Sequence, residues 1–314
     1  MSKITVIGAG SVGATIANDL MIQGTASEIV LVDINKQKAF GEALDIYQGA
    51  PFCSPAIVRS GDYQAAANSD IVIITSGLPR KPGQTRLELA QVNVNILKDI
   101  TPQIVRVAPK AIYILVSNPV DVLTYVFHKI SGLPENQIMG SGTILDTARL
   151  RYGLSEHFKV AQGNIHAYVF GEHGDTSFIP WTGAYISGLS TDEYYEEMKA
   201  HGKDVKPLDK EAMLEYVQKS GGKVIAKKGA TFYAVSATVC QLVGLILAAS
   251  DSLATVSSML HGEYGIEDVC LSTLTLVGPN GIQGKVQMRM NKEEVALLKK
   301  SADALKEVIA QIEL

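Results

Sequence analysis

The stretch ITVIGAGSVG at residues 4–13 decides the fold of this chain. An apolar, β-branched run ends in a glycine-rich GxGxxG turn, and a helical pattern follows at once. A strand, this turn and a helix in that order are typical of a dinucleotide-binding βαβ unit. Gly8 allows the tight turn, Gly10 lets the backbone approach a pyrophosphate, and Gly13 lets the helix pack closely on the strand.

The first 140 residues repeat this rhythm of apolar runs and helical segments. Continuous apolar runs are expected where helices cover both faces of a parallel sheet. We therefore predict an α/β fold with an N-terminal Rossmann domain, a doubly wound parallel sheet. The further apolar runs are Ile29–Val32, Ile71–Ile74 and Ile112–Val116, and the helical segments are Val12–Met21, Lys36–Tyr47, Leu87–Val107 and Val120–Lys129.

The pattern changes after residue 142, where helical and strand-like segments no longer alternate regularly. We predict a nucleotide-binding domain over residues 1–142 and a mixed α+β substrate domain over residues 143–314, with a cleft between them. The segments of the second half are a strand at Ile165–Phe170, a helical region at Asp209–Ala249, short antiparallel strands over Val256–Val286 and a helix at Asn291–Ile312.

Asp33 closes the second apolar run, twenty residues after Gly13. A carboxylate at this point accepts hydrogen bonds from the ribose hydroxyls of NAD and repels the 2′-phosphate of NADP. The sequence therefore predicts NAD as the cofactor. The alternative is that Asp33 only caps the next helix.

Composition limits the class of protein. The 314 residues are 46% hydrophobic and carry a net charge of −4, which predicts a folded protein without a nucleic-acid or membrane partner. The apolar stretch Ala230–Ala249 is interrupted by polar residues and predicts a buried helix. The three cysteines, Cys53, Cys240 and Cys270, are widely spaced, which favours the cytoplasm and no metal site.

Several polar side chains lie in glycine-rich or apolar surroundings, where a charge is costly to bury. Taken singly, each has an ordinary explanation, such as a structural histidine or a helix salt bridge. Together they make a candidate active site beyond the carboxyl ends of the strands. They are His173 in GEHGD, Asp146 and Arg149 three residues apart on one helix face, Asn118 after an apolar strand, and Arg80 and Arg86 around a polar turn.

Seven motifs occur in order along the chain, and with them the sequence resembles the NAD-dependent lactate/malate dehydrogenase family over essentially its whole length. The motifs are GAGSVG at 8–13, LVD ending at Asp33, RKPGQTR at 80–86, SNPVD at 117–121, LDTARLR at 145–151, GEHGD at 171–175 and KKGAT at 227–231.

The resemblance implies a role for each candidate residue. His173 is the general acid/base, since an imidazole titrates near neutrality, and Asp146 orients it. Arg149 clamps the substrate carboxylate, while Arg86 and Asn118 polarise the ketone. The hydride chemistry belongs to NAD, so no metal is needed.

The resemblance also implies further contacts and a homo-oligomer, either a dimer or a tetramer. Thr231 is expected to bind substrate. The residues expected to bind the cofactor are Gly8, Ala9, Gly10, Ser11, Val12, Gly13, Asp33, Asn93, Val116, Ser117 and Asn118.

The side chain at position 80 bears on the substrate. In this family the residue six before the active-site-loop arginine is typically Gln in lactate-type enzymes and Arg in malate-type enzymes, and here it is Arg80. An enclosed Arg80 would need a second carboxylate, which predicts a malate dehydrogenase of the tricarboxylic acid cycle that acts on a small dicarboxylate. The lactate-like motifs and Thr231 favour the alternative, an L-lactate dehydrogenase that acts on a 2-keto monocarboxylate. A non-catalytic NAD-binding module is the alternative from a different class.

Arg151 and His166 raise one regulatory hypothesis. In bacterial lactate enzymes controlled by fructose 1,6-bisphosphate, residues at these positions bind phosphate across a subunit interface. Both residue types are present here. The equally weighted alternative is an inherited interface pair without an effector.

Overall fold

The computed structural model describes residues 2–79, 83 and 85–314. The predicted apolar runs form strands, and shorter strands follow in the second half. The strands are β1 (Lys3–Ile7), β2 (Glu28–Val32), β3 (Ile57–Gly61), β4 (Ile71–Ile74), β5 (Ile112–Leu115), β6 (Ile138–Gly140), β7 (Ile165–His166), β8 (Tyr185–Ile186), β9 (Leu189–Ser190), β10 (Ser252–Ala254), β11 (Ser257–His261), β12 (Glu267–Ser272), β13 (Thr275–Gly278) and β14 (Gly281–Lys285).

Helices connect the strands of the first half and dominate the middle of the second. The helices are α1 (Ser11–Gln23), α2 (Lys36–Gln48), α3 (Arg86–Val107), α4 (Val120–Ser131), α5 (Ile144–Phe158), α6 (Thr191–Ala200), α7 (Lys210–Lys228), α8 (Tyr233–Leu247) and α9 (Lys292–Ile309). Within the described ranges, no helix is both long enough and apolar enough to cross a membrane.

The central sheet has eight strands in the order β12-β11-β6-β5-β4-β1-β2-β3. Strands β1 to β6 run parallel, which confirms the predicted Rossmann sheet. The chain changes direction across the sheet between β1 and β4, and such a switch point opens a crevice at the carboxyl ends of these strands. The sheet is also longer than predicted, because antiparallel β11 and β12 return from the second half and join it at β6.

Both faces of the sheet are buried, as continuous apolar strands require. Ile4 and Val6 of β1 belong to one core cluster, and Ile7 of the same strand to the other. Successive side chains of β1 therefore point to opposite faces of the sheet and pack into the cores on both sides.

The second half forms a mixed α and β unit, as predicted, with one informative difference. The helical region predicted over Asp209–Ala249 is two helices, because α7 ends at Lys228 and α8 starts at Tyr233. Gly229 has a φ of +85°, a conformation that glycine adopts with little strain and that ends the helix. The short segment between the helices brings Thr231 to the crevice.

Candidate active site

A cavity of about 530 Å³ lies at the carboxyl ends of β1, β4 and β5. Helix α5, the turn at 171–175 and the segment between α7 and α8 close its other side. It brings together most of the predicted site residues. Those that line it are Gly10, Ser11, Val12, Gly13, Asn93, Val116, Ser117, Asn118, Asp146, Arg149, Thr231 and His173.

The glycine turn leaves space for a pyrophosphate. A Cβ on Gly13 would lie 1.9 Å from the carbonyl oxygen of Gly8, so the close approach of α1 to β1 requires glycine there. A Cβ on Gly10 would meet no protein atom within 4 Å and would point into open space. Gly10 also precedes the first turn of α1, which has no side-chain cap. Free N–H groups and open space at a helix N-terminus fit the phosphates of NAD.

Asp33 reinforces this turn from the end of β2. Its Oδ2 accepts a hydrogen bond from the N–H of Ala9 at 2.7 Å, and its Oδ1 accepts one from the N–H of Asn35 at 2.8 Å. A carboxylate has about four lone-pair sites, so acceptor capacity remains for ribose hydroxyls. Ala9 itself is buried, and its part in the turn is the backbone N–H that binds Asp33.

Asn93 lines the cavity, and its side-chain amide also holds two neighbouring backbone segments together. Its Oδ1 accepts the N–H of Leu78 at 2.8 Å, and its Nδ2 donates to the carbonyl oxygens of Leu78 (3.1 Å) and Asn118 (2.7 Å). The buried amide therefore ties the ends of β4 and β5 together. The side chain of Asn118 forms no hydrogen bond with another described residue.

The centre of the site is a chain of three side chains. Nδ1 of His173 lies 2.6 Å from Oδ2 of Asp146, and Oδ1 of the same carboxylate accepts a 2.9 Å hydrogen bond from Arg149. Asp146 and Arg149 share one face of α5, while His173 comes from the 171–175 turn. Because its ring is bound through Nδ1, His173 directs Nε2 away from Asp146.

The charges in this chain shift each other's proton affinity. The carboxylate of Asp146 raises the pKa of His173 to about 9, against the opposing effect of burial. Burial opposes ionisation of Asp146, but the charges and hydrogen bonds of His173 and Arg149 outweigh it and hold the pKa of Asp146 below its usual value. The pair is therefore imidazolium and carboxylate at neutral pH.

The structure does not place Arg86 among the residues that line the cavity. Arg86 begins α3 and pairs with Asp175, and its Nη1 lies 3.8 Å from Oε1 of Glu172. Asp175 lines the cavity, so Arg86 lies one residue away from it. Arg80 lies outside the described residues.

Arg151 and His166 are neighbours outside the cavity. Nε of Arg151 donates to the carbonyl oxygen of Ala167 at 3.2 Å, and its guanidinium lies 5.2 Å from the ring centre of Tyr168. His166 is exposed on β7. The pair lies at the surface.

Two residues that support the site, Asp121 and Gln218, are not among those predicted from the sequence. Asp121 accepts the backbone N–H of His173 at 2.7 Å, and Gln218 on α7 donates to the carbonyl oxygens of Asp175 (3.1 Å) and Ser177 (2.9 Å). The sequence does single out Asp121, because an acid within the apolar segment Val120–Phe127 is unusual. No sequence pattern singles out Gln218, because it lies on a helix that is distant in sequence from the residues it contacts.

Comparison with known proteins identifies the class and then the family. A Rossmann sheet whose glycine turn borders the same cavity as a hydrogen-bonded histidine, carboxylate and arginine is typical of an NAD-dependent dehydrogenase. The family models for the lactate/malate dehydrogenase NAD-binding domain and for its alpha/beta C-terminal domain match residues 2–140 and 143–313. The chain therefore belongs to the lactate/malate dehydrogenase family, and its cofactor is NAD.

Two relatives and one solved structure that resemble the chain over its full length are L-lactate dehydrogenases. The L-lactate dehydrogenase 1 of Clostridium acetobutylicum is 48% identical, over 99% of this chain and 98% of its own. The L-lactate dehydrogenase of Acetivibrio thermocellus is 46% identical, over 100% of this chain and 98% of its own. The crystal structure of a minor L-lactate dehydrogenase from Enterococcus mundtii superposes with a TM-score of 0.94 at 34% identity, over 100% of this chain and 99% of that one.

These relatives overturn one prediction. The expectation of a malate dehydrogenase of the tricarboxylic acid cycle is wrong, since full-length relatives at this identity are L-lactate dehydrogenases. The malate prediction gave more weight to one side chain, Arg80, than to the similarity of the remaining motifs to lactate-type enzymes, and the full-length relatives follow the motifs.

Proposed function

We propose that the protein interconverts L-lactate and pyruvate with NAD. The observation that carries this proposal is the charge of the cavity around His173. Among the described residues that line it, Arg149 is the only lysine or arginine. One guanidinium suits a substrate with one carboxylate, and the names of the relatives support the same choice.

The geometry assigns the steps to named atoms. Arg149 holds the substrate carboxylate, which turns the 2-hydroxyl towards Nε2 of His173. In lactate oxidation neutral His173 takes the hydroxyl proton, and Asp146 stabilises the imidazolium that forms. NAD supplies the hydride acceptor when it is bound. In pyruvate reduction the imidazolium returns the proton to the carbonyl oxygen.

Arg86 and Asn118 complete the proposed polar surface around the carbonyl. Asn118 lines the cavity, and its amide is able to donate a hydrogen bond to the substrate oxygen. Arg86 is half-exposed and paired with Asp175 at the edge of the cavity. We infer that it exchanges this exposed partner, which holds it weakly, for the substrate oxygen. Thr231 is proposed to pack beside the substrate.

We propose that NAD lies along the glycine turn, with the pyrophosphate over Gly10 and the N-terminus of α1. Gly8, Ala9, Ser11, Val12 and Gly13 shape this turn, Asp33 binds the adenosine ribose, and Val116, Ser117 and Asn118 border the nicotinamide. Asn93 is proposed to act through the backbone that it holds.

A homo-oligomer, a dimer or a tetramer, is proposed from the surface of α2. Phe40, Leu44 and Tyr47 follow one face of this helix and are 56%, 45% and 43% exposed. Such an apolar stripe is typical of a subunit interface. Leu44→Asp is expected to lower the mass measured by light scattering; an unchanged mass would reject this interface.

A phosphate-binding effector site at Arg151 and His166 is proposed; Arg151 contacts the backbone of Ala167, the residue next to the exposed His166, which supports the proposal. Adding fructose 1,6-bisphosphate is expected to lower the KM for pyruvate, and Arg151→Gln to remove the effect. An unchanged KM in the unmodified protein would show that the pair has no effector role.

Two broader features complete the proposal. We infer a domain boundary between residues 142 and 143, which the limits of the two family models support. The described cysteines, Cys53, Cys240 and Cys270, are free thiols, which supports a reducing compartment such as the cytoplasm.

The direct test is oxidation of NADH with pyruvate, followed by stereochemical analysis of the product. L-lactate is expected. His173→Gln is expected to lower turnover by about 1,000-fold while NADH still binds. Asp192→Asn, which changes an exposed acid on α6, is the control and should retain full activity. Full turnover in His173→Gln would reject the assigned acid/base.

A further inference from the structure

Asp121 is a buried acid directly behind the catalytic turn. It lies in the first turn of α4, is 2% exposed, and is followed by the buried side chains of Val122 and Leu123. Its Oδ2 accepts the backbone N–H of His173 at 2.7 Å. A carboxylate in such surroundings is costly unless a nearby charge compensates for it.

The hydrogen bonds of Asp121 do not supply that compensation. Its Oδ1 is buried and has no well-formed hydrogen bond among the described residues, and neither has the facing hydroxyl of Ser257 on β11. An asparagine amide would accept the same N–H of His173 without burying a charge. The presence of an acid therefore points to its charge as the useful property.

The balance of charges around His173 indicates what that charge does. Asp146 is shared between Arg149 and the imidazolium of His173, so these three groups together carry one excess positive charge. The carboxylate of Asp121 brings the group to neutrality. Burial raises the pKa of Asp121 to about 6, so it is ionised at neutral pH, and its charge also raises the pKa of His173.

We propose that Asp121 is a positioning residue for His173 and its second counter-charge. It fixes the backbone of the 171–175 turn and, together with Asp146, keeps the imidazole protonated in the enzyme that awaits pyruvate. The inference rests on the proposed function, since it concerns the same histidine.

The other groups near Asp121 do not supply a compensating positive charge. Glu172, in the same turn as His173, raises the pKa of Asp121 by its negative charge, and the hydroxyl of Ser257 lowers it. Cys270 on β12 stays a neutral thiol, because burial raises its pKa. None of these groups provides a positive charge, so the imidazolium of His173 is the partner that compensates for Asp121.

The test is the isosteric variant Asp121→Asn, which keeps the acceptor for the backbone N–H and removes the charge. The pH at which kcat/KM for pyruvate falls on the alkaline side is expected to move down by about one unit. Asp192→Asn, which removes an exposed negative charge that does not line the cavity, should leave the alkaline limb in place. An unmoved alkaline limb in Asp121→Asn would overturn the proposal.

A second measurement separates this inference from the proposed function. Absence of pyruvate turnover in the unmodified protein would reject the proposed function alone. The ring nitrogens of His173, followed by NMR in the NAD-free protein, should still titrate about one unit lower in Asp121→Asn. If Asp121→Asn does not fold, the same NMR titration of His173 in the unmodified protein tests the proposal. Its His173 resonances should show a second, smaller inflection near pH 6, where Asp121 titrates, and a single inflection would contradict the role of Asp121.

Discussion

Nδ1 of His173 lies 2.6 Å from Oδ2 of Asp146, and this contact joins helix α5 to the turn at 171–175 across 27 residues of sequence. It fixes which ring nitrogen faces the cavity. Because Arg149 binds the other oxygen of the same carboxylate, the group that binds substrate and the group that transfers the proton share one anchor.

Removing the charge of this anchor should impair proton transfer more than binding. In Asp146→Asn the imidazolium loses its main stabilising charge, so we expect kcat for pyruvate reduction to fall by about 100-fold or more. NADH affinity, measured by fluorescence titration, should stay within a factor of a few. A variant that keeps its kcat would contradict the assigned role of Asp146.

Pyruvate reduction and lactate oxidation should have opposite pH dependence. The reduction needs protonated His173, so its kcat/KM should fall as pH rises through about 9, the raised pKa of this residue. Lactate oxidation needs the neutral ring and should rise over the same range. Steady-state profiles in both directions test this, and parallel profiles would exclude a shared acid/base.

The same raised pKa predicts a pH dependence of stability. A group that binds its proton more tightly in the folded state stabilises that state fully below its unfolded pKa of 6.5 and loses the effect as pH rises to about 9. The free energy of unfolding, compared between the unmodified protein and His173→Asn, should therefore differ more at pH 6 than at pH 9.5. A difference independent of pH would mean that the histidine is not stabilised as an imidazolium.

Two glycine variants should separate cofactor binding from folding. In Gly10→Ala the new methyl group meets no protein atom, so the melting temperature should hold while NADH affinity falls, because the methyl group occupies the space for the pyrophosphate. In Gly13→Ala the methyl group collides with the carbonyl oxygen of Gly8, so the melting temperature itself should fall. Equal NADH affinity in Gly10→Ala and the unmodified protein would contradict the assigned pyrophosphate site.

Replacing the carboxylate clamp should raise KM. Arg149→Lys keeps the positive charge but loses the planar pair of donors, so kcat/KM for pyruvate should fall by about 100-fold, mainly through KM. The expected change in NADH affinity is small. A variant with an unchanged KM would show that Arg149 does not bind the substrate carboxylate.

Much of the first half could be predicted from its sequence, since strands buried on both faces leave continuous apolar runs such as Ile71–Ile74. Strand β3 could not, because it lies at the sheet edge and carries Arg59 and Ser60 within an irregular pattern. Strand β11 joins the sheet beside β6 through one pairing, Ser257 with Gly140. These residues are far apart in sequence, so no local sequence pattern predicts the contact.

The site divides in the same way. His173, Asp146 and Arg149 lie in motifs, and the structure brings them together. The pairing of Arg86 with Asp175 and the backbone contact of Asp121 depend on tertiary packing and could not be read from spacing. The substrate was predicted wrongly because the charge of one side chain, Arg80, was given more weight than the lactate-like motifs along the rest of the chain.

The most direct test of the account is the ratio of kcat/KM for pyruvate to that for oxaloacetate, both measured with NADH. The names of the full-length relatives, and a cavity in which Arg149 is the only lysine or arginine among the described lining residues, predict a clear preference for pyruvate, about 100-fold or more. A preference for oxaloacetate would contradict it.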